Sequence, residues 1–222
     1  GISSVNMLGL GDLLDEIVSH FPPKEEEEEE SEDHVIQLAV VGRPNVGKSS
    51  LVNRLLGQNR TMVSNIPGTT RDAIDTEFTG PDGTRYNIID TAGIRRKRAI
   101  EDASLERYSV LRSIAAIKRC DVALMLIDAQ EGVTEQDARI AGMVHEEGKA
   151  AVVIVNKWDA LEKETGTFEK YKKQVLEDLK FMDYAPVLCI SALTGQRAVQ
   201  VLPEVNKVYE QACRHIGTGA LN

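Results

Sequence analysis

Cysteine is scarce in this sequence of 222 residues. Only three are present, Cys120, Cys189 and Cys213, and no two of them have Cys-x-x-Cys spacing. An odd number of cysteines without that spacing predicts neither a disulfide framework nor a zinc site. We therefore expect a reducing compartment.

Long apolar runs are also missing. Residues 122–127 and 151–155 have the length of a strand, whereas a membrane-spanning helix needs roughly 20 apolar residues. The sequence does not begin with methionine or with a basic region followed by an apolar stretch, so a targeting peptide of the full gene product is not visible in it. We expect no membrane segment.

The excess of acidic charge is confined to one segment. The net charge is −9, but eight of the 35 acidic residues lie at positions 25–33, and the remaining 27 nearly balance the 26 Lys and Arg. A glutamate run after two prolines repels itself and buries no apolar area, which predicts a solvated linker over residues 21–34. The acidic net charge therefore does not argue against contact between the rest of the chain and an anion such as RNA.

The order of apolar and amphipathic segments predicts an α/β domain. Five short apolar runs each precede a helical pattern, which predicts a mostly parallel sheet with helices on both faces. Residues 75–79 and 86 onward flank Pro81-Asp82-Gly83 and predict an antiparallel hairpin, so we expect six strands with one antiparallel edge strand. The five pairs are 36–41 and a helix from 48, 86–89 and 105–118, 122–127 and 135–147, 151–155 and 168–179, and 186–190 and 199–213.

A glycine-rich sequence between the first strand and helix fits the P-loop pattern Gly-x-x-x-x-Gly-Lys-Ser. Its backbone N–H groups would hold nucleotide phosphates, Lys48 would reach the β and γ oxygens, and Ser49 would bind Mg²⁺. The predicted phosphate-binding residues are Gly42, Arg43, Pro44, Asn45, Val46, Gly47, Lys48, Ser49 and Ser50.

Two further motifs follow strands. Asp90-Thr91-Ala92-Gly93 places a carboxylate where doubly wound sheets bind ligands, so we predict that Asp90 holds Mg²⁺ and that the Gly93 N–H meets the γ-phosphate. Asn156-Lys157-Trp158-Asp159 follows another strand. The Asp159 carboxylate can accept hydrogen bonds from guanine N1–H and N2–H₂, which adenine does not present in that arrangement. Asn156 would brace the P-loop and contact N7, and the Lys157 stem would lie along the base or ribose.

Two weaker motifs complete the predicted site. Ser191-Ala192-Leu193 follows the last strand and would offer a backbone N–H to guanine O6. Pro-Gly-Thr-Thr-Arg-Asp at 67–72 has the position of a first switch segment, in which Thr70 would close on Mg²⁺ and the γ-phosphate, with Thr69 as the alternative.

The details of these motifs resemble the second G domain of the EngA/Der double-GTPase family. The resemblance rests on Gly-Arg-Pro-Asn-Val-Gly-Lys-Ser, Pro-Gly-Thr-Thr-Arg-Asp, Asp-Thr-Ala-Gly-Ile-Arg-Arg-Lys and Asn-Lys-Trp-Asp. It implies a P-loop G domain that binds GTP or GDP with Mg²⁺, hydrolyses GTP and acts in assembly of the large ribosomal subunit. The glutamate run is longer than is typical of the family, and residues 196–200 lack the expected glycine-rich continuation.

The same resemblance implies a division of the chain. Ile2-Ser-Ser-Val repeats the pattern of Ile190-Ser191-Ala192-Leu193, so residues 1–20 would be the end of a preceding G domain. Residues 21–34 would be the acidic linker, 35–215 the G domain, and 216–222 the lead into a KH-like domain. Contacts with the first G domain and the KH-like domain are then expected, in a bacterial cytoplasm or plastid stroma.

The residue after Gly93 bears on catalysis. Ile94 stands where many regulatory GTPases have a glutamine that orients the attacking water, and isoleucine cannot do that. In relatives with a hydrophobic residue there, a P-loop asparagine helps to hold K⁺, and Asn45 has that position; Asn45 as a simple turn residue is the alternative. The predicted catalytic residues are Lys48, Thr70, Asn45 and Gly93.

Other interpretations remain open at this point. The basic run at 95–98 is either solvated charge or a contact for ribosomal RNA or a neighbouring domain. The chain could instead be a GTPase of RNA modification or ion transport, or a guanine-nucleotide-binding module with little turnover. A P-loop kinase fits worst, because Asn-Lys-Trp-Asp would then lack a purpose.

If Asn45 helps to bind K⁺, single-turnover hydrolysis of GTP should be faster in potassium than in sodium, because the ion supplies positive charge that Ile94 does not. The rates are compared at equal ionic strength. Equal rates in the two salts would contradict the potassium mechanism.

Overall fold

The computed structural model describes residues 34–58, 75–91, 94, 104–162 and 164–214. The described residues from Val35 onward belong to one unit of the chain that begins at Val35. Several predictions fall outside the described residues: those for residues 1–33, Thr69, Thr70, Ala92, Gly93, the basic run 95–98, and residues 215–222.

Within the described part of the chain, six strands form one sheet in the order β2-β3-β1-β4-β5-β6. β2 pairs antiparallel with β3, and every other pair is parallel, so the predicted fold class is confirmed. The strands are β1 (Ile36–Val41), β2 (Thr76–Thr79), β3 (Arg85–Ile88), β4 (Val122–Asp128), β5 (Ala150–Asn156) and β6 (Val187–Cys189).

In the described part of the chain, four helices connect these strands and a fifth follows β6. The helices are α1 (Lys48–Gln58), α2 (Ser104–Arg119), α3 (Glu135–Glu146), α4 (Thr167–Asp178) and α5 (Val201–Ala212). The last helix begins two residues later than predicted, because Arg197 adopts a left-handed conformation with φ 57° and Ala198–Gln200 forms a 3₁₀ turn ahead of it.

Alternate residues of the central strands pack on opposite faces of the sheet, as the pleat requires. In β4, Met125 packs with α2, α3 and α4 on one face, whereas Leu124 packs with α1 and α5 on the other. Every residue of β4 is buried. Helices therefore cover both faces, which explains why the central strands are continuous apolar runs without polar alternation.

The β2–β3 hairpin is fastened to the last helix. Phe78 and Tyr86 stack across it with ring centroids 5.2 Å apart. The Tyr86 hydroxyl donates to Asn206 Oδ1 at 2.6 Å, and Asn206 Nδ2 donates to Asp82 Oδ2 in the turn at 2.7 Å. One amide of α5 thus holds both the turn and a buried strand residue of the hairpin.

Two valines that differ in burial allow the described packing to be tested with the same chemical change. Val152 in β5 is fully buried, whereas Val199 is 69% exposed. Val152→Ala should lower the free energy of unfolding by about 2 kcal/mol, because it removes apolar contacts and leaves a cavity. Val199→Ala, the same chemical change, should alter it by less than about 0.5 kcal/mol in urea unfolding. Equal losses would contradict the described packing.

Candidate functional site

The glycine-rich loop after β1 approaches its neighbours too closely for side chains. A Cβ on Gly42 would lie 2.6 Å from the carbonyl oxygen of Leu126, and one on Gly47 would lie 2.2 Å from Asn156 Nδ2. Both glycines also have positive φ, 139° and 99°, as does Asn45 at 64°. The loop therefore has a backbone path that requires glycine at both ends.

The Lys48 ammonium and the N-terminus of α1 both lie at this loop. The Lys48 ammonium donates to the carbonyl oxygens of Gly42 and Arg43, each at 2.6 Å. α1 begins at the loop, since the Leu51 N–H donates to the Gly47 carbonyl at 2.9 Å. The helix N-terminus and the ammonium together form a site for an anion.

The Arg43 side chain is fastened to the start of α3. Its Nη1 lies 2.5 Å from Glu131 Oε2, and its Nε lies 3.2 Å from Asp137 Oδ2. Asp137 is fully buried and closes a capping box with Thr134 at the N-terminus of α3. Burial by itself would lower the pKa of Arg43, but the hydrogen bond to Glu131 and the charge of Asp137 raise it. Arg43 therefore remains a cation that anchors the loop.

Asp90 is held by the residues that begin the hairpin. Its φ is 56°, and its N–H donates to Asp75 Oδ1 at 2.9 Å. Asp75 Oδ2 also lies 2.5 Å from Arg119 Nη2 at the end of α2. The hydroxyls of Thr76 and Thr91 are 2.7 Å apart. These contacts set the backbone conformation from which the Asp90 carboxylate projects.

The oxygen ligands present fit a magnesium ion that is also coordinated by phosphate oxygens. Ser49 and Asp90 follow β1 and β3, which are neighbours in the sheet, and both offer the oxygen ligands that Mg²⁺ prefers. The described residues contain no group of three or more His, Cys, Asp or Glu that could hold a metal alone. Mg²⁺ bound with a nucleotide needs no such group, because few of its ligands come from the protein.

Asn156 joins the phosphate loop to the loop after β6. Its buried side chain donates from Nδ2 to the Val46 carbonyl at 2.8 Å and accepts at Oδ1 from the Ala192 N–H at 2.9 Å. One amide therefore sets the spacing between a segment suited to phosphate and a segment suited to a base.

The two residues on either side of Trp158 differ in exposure and role. Lys157 has φ 62°, and its Nζ lies 2.5 Å from Asp128 Oδ2 at the end of β4. Trp158 is buried, and its ring meets Tyr171 edge to face at 5.4 Å. Asp159 is exposed within the turn Trp158–Ala160. The buried indole thus anchors a turn that presents the Asp159 carboxylate.

The loop after β6 uses most of its amides internally. The Ser191 N–H donates to the Gln196 carbonyl at 3.0 Å, and Ser191 Oγ accepts from the Thr194 N–H at 3.1 Å. Ala192 donates to Asn156, as described above. Leu193 is 77% exposed, and within the described part of the chain nothing accepts its N–H. Of the three predicted amides, that of Leu193 therefore remains available for a ligand.

Sequence reasoning did not identify three residues that hold these segments in place: Asp75, Asp128 and Arg54, whose Nε donates to the Ala192 carbonyl at 3.2 Å. Asp128 ends an apolar strand, as Asp90 nearly does, so the same rule applied to β4 would have found it. Asp75 shows no comparable signal, because it begins a predicted strand and does not follow one. Arg54 shows none because its acceptors Ala192 and Leu193 are distant in sequence.

A parallel sheet with a glycine-rich phosphate loop, an aspartate after β3 and an Asn-Lys-x-Asp turn after β5 defines a P-loop GTPase domain. A sequence model described as 50S ribosome-binding GTPase matches residues 37–157. The chain belongs to that family.

The curated relatives that match the chain include proteins named GTPase Der. The protein from Ruminiclostridium cellulolyticum is 57% identical over 221 residues, and that from Desulfitobacterium hafniense is 58% identical over 221 residues. Each match covers 100% of this chain but 49% of the relative, so the chain spans about half the length of the curated relatives it matches. The predicted relationship to the EngA/Der family is confirmed.

Solved structures of Era have the same fold. Era in complex with MgGDPNP and nucleotides of 16S ribosomal RNA is 28% identical, with a TM-score of 0.60. An Aquifex aeolicus Era variant bound to GDP·AlF₄⁻ is 30% identical, with a TM-score of 0.57. Each covers 78% of this chain and 56% of the Era chain.

Among the described helices, none is long and apolar enough to cross a membrane.

Asp75→Ala should weaken the hold on Asp90. Because the Asp90 N–H loses its acceptor, the Mg²⁺ concentration needed for tight GDP binding should rise roughly tenfold, the scale of one hydrogen bond to a charged group. The measurement is GDP dissociation as Mg²⁺ is varied.

The matched control is Asp121→Ala. Asp121 also accepts a backbone N–H, that of Gln37 at 2.8 Å, but it does not touch Asp90. Both variants should lose stability, and only Asp75→Ala should shift the Mg²⁺ dependence. A shift of the same size in both variants would contradict a specific role for Asp75.

Proposed function

We propose that this chain binds guanine nucleotide and hydrolyses GTP to GDP and phosphate as a nucleotide switch. The observation that carries the proposal is the Asn156 bridge. It holds the phosphate loop through Val46 and the base loop through Ala192, while the exposed Asp159 carboxylate lies three residues further along the chain.

The base is recognised by Asp159 and a backbone amide. A carboxylate accepts from guanine N1–H and N2–H₂, and an adenine would leave it without those donors. Guanine O6 then takes the Leu193 N–H, or the Ala192 N–H if Asn156 releases it to contact N7. The Lys157 stem lies along the base while its ammonium is held by Asp128.

The phosphates are bound by the loop backbone from Gly42 to Ser50. Lys48 exchanges its two carbonyl partners for β- and γ-phosphate oxygens, which are stronger acceptors because they are charged. Ser49, Asp90 and Thr70 would hold Mg²⁺, which would supply positive charge at the phosphates, and the Gly93 N–H would meet the γ-phosphate.

Hydrolysis proceeds without a side chain that orients water at position 94. Ile94 packs against the apolar cluster beneath α1, and its N–H donates to the Asp90 carbonyl at 3.3 Å. Catalysis would therefore rest on Lys48, Thr70, Gly93 and the charge near the phosphates, to which Asn45 would contribute by holding K⁺. Asn45 is exposed at the loop, with its backbone in the left-handed conformation.

We infer that the longer protein acts in assembly of the large ribosomal subunit. The description of the family as 50S ribosome-binding and the relatives named GTPase Der support this. The structure of Era in complex with 16S ribosomal RNA supports ribosomal RNA as the class of partner. This chain corresponds to the second G domain with its acidic linker, between a first G domain and a KH-like domain, in a bacterial cytoplasm or plastid stroma. Ribosomal RNA is then the partner of the whole protein.

Asp159→Asn tests the base assignment. An amide places a donor where the carboxylate had an acceptor, so GTP binding should weaken about 100-fold, while XTP, which has a carbonyl at C2, should gain affinity. The measurement is competition against a fluorescent GDP, followed by GTP and XTP hydrolysis with and without large ribosomal subunits.

Asp183→Asn is the matched control. Asp183 is an exposed acid that precedes β6, at the amino end of a strand, whereas Asp159 follows the carboxyl end of β5. It should change neither affinity. A loss of GTP binding without a gain for XTP would contradict base recognition by Asp159, and the absence of GTP turnover with and without ribosomal subunits would contradict the enzymatic assignment.

A further inference from the structure

Arg54 joins the helix that begins at the phosphate loop to the loop after β6. Its Nε donates to the Ala192 carbonyl at 3.2 Å, and its Nη2 donates to the Leu193 carbonyl. The guanidinium also lies against Gly195, where an added Cβ would stand 3.3 Å from Arg54 Cζ. The planar group thus binds two successive carbonyls and packs on a third residue of the same loop.

These contacts fix the direction of the peptide planes. In a trans peptide the C=O and N–H point in opposite directions. Because the Ala192 carbonyl faces Arg54, the N–H of the same peptide, which belongs to Leu193, points away from α1. The next peptide behaves alike, since the Leu193 carbonyl faces Arg54 and the Thr194 N–H reaches Ser191 Oγ on the other side.

The loop is closed by its own hydrogen bonds, which do not include the Ala192–Leu193 peptide. The Gly195 N–H donates to the Ser191 carbonyl at 2.8 Å, and the Ser191 N–H donates to the Gln196 carbonyl at 3.0 Å. Asn156 holds the Ala192 N–H, while among the described residues the peptide that follows is bonded only through its carbonyl, by Arg54. Arg54 is therefore the side chain that sets the Ala192–Leu193 peptide plane from α1.

We propose that Arg54 is a positioning residue for guanine recognition. It turns the Leu193 N–H toward guanine O6 and couples the loop after β6 to α1. The inference rests on the proposed binding of guanine nucleotide. The chemical group it recognises is the O6 carbonyl, which distinguishes guanine from bases without an oxygen at that position.

The test compares GDP with 2-aminopurine riboside diphosphate, which keeps N2–H₂ but has neither O6 nor N1–H. Wild type should bind GDP roughly 100-fold more tightly, because the analogue loses the hydrogen bonds of both O6 and N1–H. Arg54→Ala should weaken GDP binding about five- to tenfold and weaken binding of the analogue by less than twofold, because the analogue never used the Leu193 N–H. Arg54→Lys, which restores charge and one donor direction, should give an intermediate GDP affinity.

Arg139→Ala is the matched control, since Arg139 is exposed on α3 and pairs only along its own helix with Glu135. It should leave both affinities unchanged. Equal losses for GDP and the analogue in Arg54→Ala would show a general structural role and overturn the proposal, as would an unchanged GDP affinity. If Arg54→Ala does not fold, Arg54→Lys is compared in the same way, and its GDP-specific loss decides. A wild-type chain that does not prefer GDP over ADP would instead overturn the proposed function itself.

Discussion

The buried amide of Asn156 is the contact on which the arrangement of the site depends. Its Nδ2 and Oδ1 bond to segments far apart in the sequence, and both bonds lie out of water, where an unmet donor or acceptor costs about 1–3 kcal/mol. Loss of either partner would leave the amide half satisfied, so the two loops are stable only in the relative position that serves both. Gly47 belongs to the same constraint, because any side chain there would displace the amide.

Charged groups around this amide hold the loops from outside. Arg43 links the phosphate loop to α3 through Asp137 and Glu131. Lys157 links the turn Trp158–Ala160 to Asp128. In each case a cation from a binding motif pairs with an acid from the β4 end of the sheet or just beyond it. Such pairs are costly to break when buried, which gives the loops rigidity before any ligand arrives.

The fold and the positions of the motifs could be predicted because they depend on local patterns. Apolar runs, helical spacing and the Pro81-Asp82-Gly83 turn are all readable along the chain, and parallel strands necessarily bring their carboxyl ends to one edge. The side-chain partners could not be predicted in the same way. Lys157 meets Asp128 because the register of β4 and β5 places Asp128 opposite Asn156, and no local pattern reports a register.

The hairpin formed by β2 and β3 has its two ends bonded to different parts of the molecule. Asp75 and Thr76 hold the Asp90 turn at one end, and at the other Asp82 and Tyr86 share Asn206 of α5. A short, paired ribbon anchored in this way acts as a strut. It cannot lengthen without breaking ladder hydrogen bonds, so a displacement of the Asp90 turn along the strand direction either ruptures an anchor or moves the last helix. A displacement at the candidate site would therefore be transmitted through the hairpin to α5, although no residue of α5 lies in the site.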